Sequence, residues 1–313
     1  VSLQLVIGFG PAGAATARLL AGQGHSVRVV TRSGGTAEPG IEHVALDATD
    51  SARLIEAAAG AASIFNCASP PYHRWASDWP PLAASACAAA EATGAVLVLL
   101  GNLYGYGPVD GPLTEDLPLA ATGTKGRVRA ALWEQARGLH QQGRIKAVEV
   151  RASDFFGPGV TDGGHLAARV MPKLLHGKPV SALGDPDVPH SWSYLPDVAA
   201  ALAEVAGEEQ AWGSAWHVPT EPPHSTREMV NRLAAEAGTA PVAVRPVPSA
   251  VLGVMSLVSP LIRELKEIRY QFDRPFVIDS SAYEGEFALR ATPLDEQIEA
   301  TVAWWRARVG GAR

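Results

Sequence analysis

A chain of 313 residues with 47% hydrophobic and 19% charged side chains can build one large domain, or a domain with a smaller cap, which excludes disorder. A formal charge of -6 excludes the basic face that nucleic acid requires of a partner. Two cysteines, Cys67 and Cys87, make no disulfide framework, and the opening residues run into a strand instead of a signal peptide, so a cytoplasmic protein is expected.

In chain order, LQLVIGF (3–9) reads as a strand and PAGAATARLLAGQG (11–24) as a helix closed by Gly24. SVRVVTR (26–32) is a strand, SARLIEAAAG (51–60) a helix and ASIFNCA (62–68) a strand. A long helix over 82–93 leads to the strand AVLVLLG (95–101), and a helix over 126–141 to the strand KAVEVRA (146–152). This alternation predicts right-handed βαβ crossovers, hence an α/β fold with a doubly wound, Rossmann-type parallel sheet. The unbroken VLVLL run suits a central strand buried on both faces.

Beyond Asp154, Pro and Gly become frequent and the rhythm loosens; helices are expected over 166–175, 197–206, 226–237 and 295–308. Pro196-Asp197 has the form of a helix entry, with a carboxylate at the positive helix end. With no repeat or linker, the expected organisation is a dinucleotide domain over 1–154, completed by about 186–217, and a substrate-binding cap over 155–185 and 218–313. The apolar stretch 251–262 is broken by Gly253, Ser256, Ser259 and Pro260. It is shorter than the roughly 20 residues of a membrane span, so a packed helix is expected and no membrane partner.

Gly8-Phe9-Gly10-Pro11-Ala12-Gly13 fits G-x-G-x-x-G between the first strand and the first helix. The first glycine permits the tight turn, the second lets backbone approach a pyrophosphate, and the third lets helix pack on strand. The helix N-terminus adds free N–H groups and partial positive charge. An NAD site usually ends its second strand with an acidic residue for the ribose 2′-OH. Here that strand ends Thr31-Arg32-Ser33, two hydroxyls and a guanidinium suited to a 2′-phosphate, so NADP(H) is favoured over NAD(H).

These residues resemble the extended short-chain dehydrogenase/reductases, which include the NAD-dependent epimerase/dehydratases. The likeness spans nearly the whole chain: the glycine loop, Asp47 in VALDATD, Asn66-Cys67-Ala68, Tyr106-Gly107-Pro108, RASDFFGP (151–158) and SYLPDVAAAL (193–202). It implies a seven-stranded Rossmann domain with a smaller C-terminal substrate domain. It also implies Asp47 and Ala48 beside the adenine, and Cys67, Ala68 and Ser69 along the cofactor, although a buried cysteine often only fills space.

The departures are informative. Family members carry Ser or Thr after the fifth strand and a Tyr-x-x-x-Lys pair on the next helix, the Tyr as acid/base and the Lys as ribose anchor that lowers its pKa. The Ser/Thr position falls on Asn102, and no Tyr-x-x-x-Lys occurs in the sequence. One register places Lys125 and Arg129 there, on one helix face; the other places Gly126 and Ala130, with no functional pair. Arg129 suits ribose hydroxyls but is no base. Lys125 serves as acid/base only if its pKa falls, and Tyr104 and Tyr106 are the other proton donors, Tyr104 being the one expected at the pocket.

Asp154 replaces a neutral Asn, and His190-Ser191-Trp192 replaces an Arg-Asp-Phe grip on a diphosphate, so an anionic nucleotide sugar is disfavoured. Tyr72, Trp75, Trp79, Phe155, Phe156 and Trp192 fall where they would surround a cleft, or pack as core, favouring a flat or apolar small molecule. His73, His165 and His190 lack metal-ligand spacing. The expected function is an NADP(H)-dependent oxidoreductase acting on a carbonyl or alcohol, with Asn102 and Tyr104 or Lys125 polarising the oxygen. A cofactor-retaining epimerase and a non-catalytic NADP(H)-binding sensor are the alternatives. Segments 82–93 and 128–136 could form a homodimer.

Overall fold

The computed structural model describes residues 1–161, 163–248, 251–253 and 259–310. The strands are β1 (Leu3–Ile7), β2 (Ser26–Thr31), β3 (Ile41–Ala45), β4 (Ala61–Asn66), β5 (Val96–Asn102) and β6 (Lys146–Ala152). Short ones follow: β7 (Asp154–Phe156), β8 (Val180–Ala182), β9 (Trp192–Tyr194), β10 (Ala215–His217) and β11 (Val244–Pro246). Seven form one parallel sheet in the order β10-β6-β5-β4-β1-β2-β3, while β8 pairs with β11 and β7 with β9.

Period-two alternation splits each strand between two cores. Leu5, Ile7, Ile64, Leu97 and Leu99 face α2 (Ser51–Ala57), α3 (Trp75–Thr93) and α4 (Thr124–Gln141), joining Leu54, Trp79, Ala86 and Trp133. Val6, Val29, Phe65, Val98 and Val148 face the other way, toward α1 (Pro11–Gly22) and α6 (Leu195–Gly207) with Ala17, Leu20 and Leu202. Residues between Phe156 and Leu195, α7 (Thr226–Glu236) and the helix Leu294–Gly310 build a third core around Met171, Met229, Leu233 and Val302. A capping box at Ser225 and Glu228 starts α7.

Several elements depart from expectation for identifiable reasons. β3 had no apolar signal because it is an edge strand whose Glu42, His43 and Ala45 are exposed or half-buried. α3 begins at Trp75, not at residue 82, despite Pro80 and Pro81. Those prolines withhold donors from the Ala76 and Ser77 carbonyls, but both residues are exposed and water can serve instead. The helix expected over 166–175 shrinks to α5 (Met171–Leu174), because Pro172 is tolerated only in a first turn. Of the packed helix expected over 251–262, residues 254–258 lie outside the described residues; Val251–Gly253 are helical, and a helix spans Pro260–Ile268. Asp197, expected only as a helix-end charge, is buried and accepts bonds from the Thr292 N–H (2.9 Å) and hydroxyl (2.6 Å).

A buried polar chain ties the far edge of the sheet to the C-terminal region. Arg151 pairs with Glu149 (2.6 Å) and donates to the Tyr106 hydroxyl (2.6 Å). His217 Nδ1 lies 2.9 Å from the Asp279 carbonyl, which can only accept, so this nitrogen carries the proton. Nε2 then accepts from Tyr106 (2.7 Å), and the neutral ring is fully satisfied. Burial drives the His217 pKa down to about 4 from an ordinary 6.5. Between those values the unfolded chain binds a proton that the folded chain refuses, so stability is lost as pH falls from 6.5 toward 4. Urea unfolding at pH 7 and pH 4.5 should show a loss on the order of 3 kcal/mol from this group. His217→Gln, which can keep both hydrogen bonds, should remove that share of the pH dependence.

Candidate active site

The carboxyl ends of the strands open onto one cavity of about 840 Å³. Strand order reverses between β1 and β4, which makes this edge the natural ligand crevice of an open α/β sheet. Gly8, Phe9, Gly10, Pro11 and Ala12 line it. Gly8 has φ +91°, and a Cβ there would meet Ala68 Cα at 2.7 Å. A Cβ on Gly13 would collide with the Gly8 carbonyl, so Gly13 lies beneath the loop and fixes α1 against it. Gly10 caps α1 without a side-chain bond and has open space where its Cβ would be. Pro11 lacks an N–H, so Ala12 and Gly13 supply the free donors of this helix end.

At the outer end, Thr31, Arg32, Ser33, Asp47 and Ala48 line the cavity. The Thr31 hydroxyl is spent on the Gly34 carbonyl (2.7 Å), which leaves Arg32 and Ser33 exposed at the rim. Arg32 makes no ion pair among the described residues. Asp47 accepts from the Thr49 N–H (3.0 Å) and hydroxyl (2.9 Å), bonds that hold its carboxyl below the usual range. The Phe9 ring meets His43 edge-on at 4.6 Å.

Toward the centre, Cys67, Ala68 and Ser69 follow β4 along the wall. Burial pushes the Cys67 thiol up to about 12, so it is a neutral spacer and no nucleophile. Arg129 reaches the cavity from the second turn of α4, whereas Lys125, its partner in the first of the two registers, does not. Arg129 donates to the Leu100 carbonyl (3.0 Å) and stacks on Trp75 (4.8 Å) and Trp79 (4.5 Å), while its buried Nε has no hydrogen-bond partner among the described residues. Burial lowers its pKa, yet an arginine stays protonated at neutral pH.

The inner end gathers Asn102, Tyr104, Tyr72, Trp75, Asp154 and Phe155. The Asn102 Oδ1 accepts from the Tyr104 N–H (3.2 Å), and its amide donors make no hydrogen bond among the described residues. The Tyr72 and Tyr104 hydroxyls are 2.7 Å apart, and burial pushes both phenols above their ordinary value. They are hydrogen-bond donors at neutral pH, not bases. Gly126 permits this arrangement: a Cβ on it would collide with the Tyr104 carbonyl, so α4 packs directly on that turn.

Three expected site residues lie elsewhere. Lys125, expected as an acid/base, is 1% exposed and ion-paired with Glu264 and with Glu267 (3.6 Å), both on the helix Pro260–Ile268. It sits 5.5 Å from the Tyr72 ring centroid and does not line the cavity. Trp192, expected in the substrate pocket, is core, donating to the His224 carbonyl (2.8 Å). His190 is buried behind the wall, its Nε2 2.8 Å from Asp154 Oδ2. Burial pushes the Asp154 carboxyl up, but His165 (3.4 Å) and the His190 bond outweigh it and hold it below the usual range.

Sequence reasoning missed the hydroxyl partnership of Tyr72 with Tyr104, His165 beside Asp154, and the wall residues Gln271 and Phe276. Only the aromatic type of Tyr72 hinted at its place; the others arrive through long-range folding. Among the described residues no cluster could hold a metal ion, and no helix is long and apolar enough to cross a membrane.

The family model for the NAD dependent epimerase/dehydratase family matches residues 4–216. Among solved structures, dTDP-glucose 4,6-dehydratase from Bacillus anthracis in complex with NAD superposes with a TM-score of 0.80 at 16% identity, covering 98% of this chain and 97% of that one. UDP-glucose 4-epimerase from Thermotoga maritima with UDP-glucose gives 0.80 at 15% identity, covering 98% and 99%. UDP-glucose 4-epimerase from Thermus thermophilus with NAD gives 0.77 at 20% identity, covering 97% and 99%. No curated protein matches the sequence.

The glycine contacts separate binding from folding. Gly10→Val should leave the melting temperature near wild type while weakening pyridine-nucleotide binding at least roughly tenfold, because its Cβ enters open space at the cleft. Gly13→Ala should cost about 1–3 kcal/mol in urea unfolding, since that Cβ has nowhere to go.

Proposed function

The chain belongs to the NAD dependent epimerase/dehydratase family, and from that premise we propose an NADP(H)-dependent oxidoreductase acting on the carbonyl or alcohol of a small, largely apolar or aromatic molecule. Membership makes it an enzyme of the oxidoreductase or epimerase kind with a pyridine-nucleotide cofactor, which speaks against a non-catalytic sensor. The observation that carries the proposal is one continuous cavity, from the glycine loop to the Asn102, Tyr104 and Tyr72 donors. In this reading residues 1–154 with 186–217 hold the nucleotide, and 155–185 with 218–313 hold the substrate.

The residues present suit the cofactor. Gly8, Phe9, Gly10, Pro11 and Ala12 offer backbone and helix-end donors to a pyrophosphate. Asp47 and Ala48 would flank the adenine, and Cys67, Ala68 and Ser69 the length of the dinucleotide. Arg129, whose Nε has no partner among the described residues, would hold the nicotinamide ribose. Arg32 and Ser33, with no carboxylate at the end of β2, favour a 2′-phosphate and therefore NADP(H) over NAD(H). When bound, the nicotinamide supplies hydride exchange at carbon.

The chain's own task is then at the substrate oxygen. Of the two phenol protons, one bridges Tyr72 and Tyr104 and the other is left for the substrate. With the Asn102 amide it makes a two-donor cradle that stabilises negative charge developing on that oxygen. Trp75, Phe155 and Phe276 give the inner cavity flat apolar walls. Asp154 brings a carboxyl to the inner wall and His190 stands where an arginine would grip a diphosphate, which favours a small neutral substrate over a nucleotide sugar. A cofactor-retaining epimerase is the second reading, favoured by neighbours named for UDP-glucose epimerisation. α3 and α4 lie side by side on one face of the sheet, where a homodimer would form.

Tryptophan fluorescence titration should show NADPH binding more tightly than NADH. Arg32→Ala should weaken NADPH about 10- to 100-fold, the equivalent of one lost charge-assisted contact, and leave NADH unchanged. No binding of either nucleotide would sink the proposal. Turnover of UDP-glucose or dTDP-glucose, with none on an aromatic ketone and aldehyde panel, would move the assignment to the epimerase.

A further inference from the structure

We propose that Asp154 and His190 hold one exchangeable proton between them, and that this pair, through Asp154, is the proton source and sink for the substrate oxygen. The inference rests on the reading of the cavity as a site of carbonyl–alcohol chemistry.

His190 Nδ1 lies 3.2 Å from the Gln271 carbonyl oxygen, which can only accept, so Nδ1 carries a hydrogen. A neutral imidazole then has a lone pair at Nε2. That lone pair would face an oxygen of Asp154 at 2.8 Å, and an ionised carboxylate also has only lone pairs to offer. The contact is attractive only if a second proton lies in it. That proton sits on Nε2, giving imidazolium beside carboxylate, or on Oδ2, giving a neutral pair; the number of protons is the same. His217 is the contrast within this molecule: its Nδ1 also faces a carbonyl, but its Nε2 receives the proton of Tyr106 and needs no other.

The surroundings favour holding this proton. The His190 ring lies 5.0 Å from Phe272 and 5.5 Å from Phe276, both stacked, and 4.6 Å from Trp192. Such faces stabilise a cation. β7 and β9 pair with Asp154 opposite Trp192, so the backbone itself sets the carboxylate over this box. Among the described residues, the titratable and charged groups around Asp154 besides His190 are His165, at 3.4 Å from Oδ1, with Arg169 acting on it, and the Tyr72 and Tyr104 phenols, with Arg129 acting on both.

Asp154 lines the cavity and His190 does not, so the proton leaves and returns through the carboxylate. In reduction a bound nicotinamide would supply hydride to the substrate carbon as the C=O π bond breaks, and the chain's part lies at the oxygen. The oxygen takes the pair's proton: an O–H bond forms on the product, and the N–H or O–H bond within the pair breaks. The pair is left as neutral His190 beside ionised Asp154 and recovers a proton from solvent; oxidation of an alcohol runs the same transfers in reverse. This supplies what α4 does not, since no Tyr-x-x-x-Lys occurs in the sequence and burial pushes both cavity phenols up. Asp154 is thereby a catalytic residue and His190 a positioning residue that stores its proton.

The test uses the full chain labelled with 15N-histidine, with His190 assigned from the signal lost in His190→Gln. At pH 7 His190 should show either two ring N–H groups or one with a far-downfield shared proton, and Asp154→Asn should abolish that signature without moving the melting temperature. A His190 ring with one ordinary N–H overturns the proton pair, whatever the nucleotide titration gives. On a carbonyl turned over with NADPH, Asp154→Asn should lower kcat about 100-fold or more and flatten its pH profile, with NADPH affinity unchanged. A kcat within about threefold of wild type overturns the catalytic role. Intact His190 chemistry with no binding of NADPH or NADH overturns instead the oxidoreductase reading on which this role rests.

Discussion

The distance between a helix and a strand sets the terms for everything else in this protein. α1 can approach the end of β1 only because Gly13 presents no Cβ to the Gly8 carbonyl, and β4 can lie beside that turn only because Gly8 presents none to Ala68. The first turn of α1 is thereby aimed across the point where strand order reverses, with unpaired N–H groups at its tip. Widening this packing by one methyl group would move the helix end, the loop after β4 and the wall they share. Side chains at the strand ends give the cavity its chemistry, but backbone proximity gives it a shape.

Within that frame the inner site is assembled from separate elements. α4 contributes a cation, Arg129, held by aromatic faces and a carbonyl, and it contributes Gly126, whose bareness seats the Tyr104 turn. Lys125, one helical turn before Arg129, points away from the cavity and fastens the helix Pro260–Ile268 through two carboxylates. The hydroxyls come from the end of β5 and from the turn before α3, and the carboxylate from β7. Hydrogen-bond donors at a reacting oxygen need correct position more than common origin. A helix that loses its acid and its ribose lysine therefore need not leave an inert pocket.

The sequence was most legible where the determinant is local. Apolar alternation located β1, β2, β4, β5 and β6, and the glycine spacing located the loop, because turn sterics and pleat period act over a few residues. Arg129 was legible through the family's helix pattern alone, since Lys125, its i,i+4 partner in that reading, does not share the cavity. Lys125 was not: its carboxylate partner Glu264 lies 139 residues later, and nothing in KGRVR says which face of the helix would be covered. His190 was placed at the substrate by register and is in fact one layer behind, because burial of its ring depends on Phe272 and Phe276 arriving from the C-terminal region. β3 escaped notice because an edge strand may expose polar residues that a central strand cannot.

Burial of the two cysteines has a practical side. Cys67 is pushed up to about 12 and Cys87 to about 11, so neither offers thiolate at neutral pH. Alkylating dyes and maleimide spin labels would find no native target in the folded chain. A cysteine introduced at the exposed rim, at Ser33 for example, would be the single reactive sulfur, and a probe attached there would report on the mouth of the cleft without first stripping the protein of its own thiols.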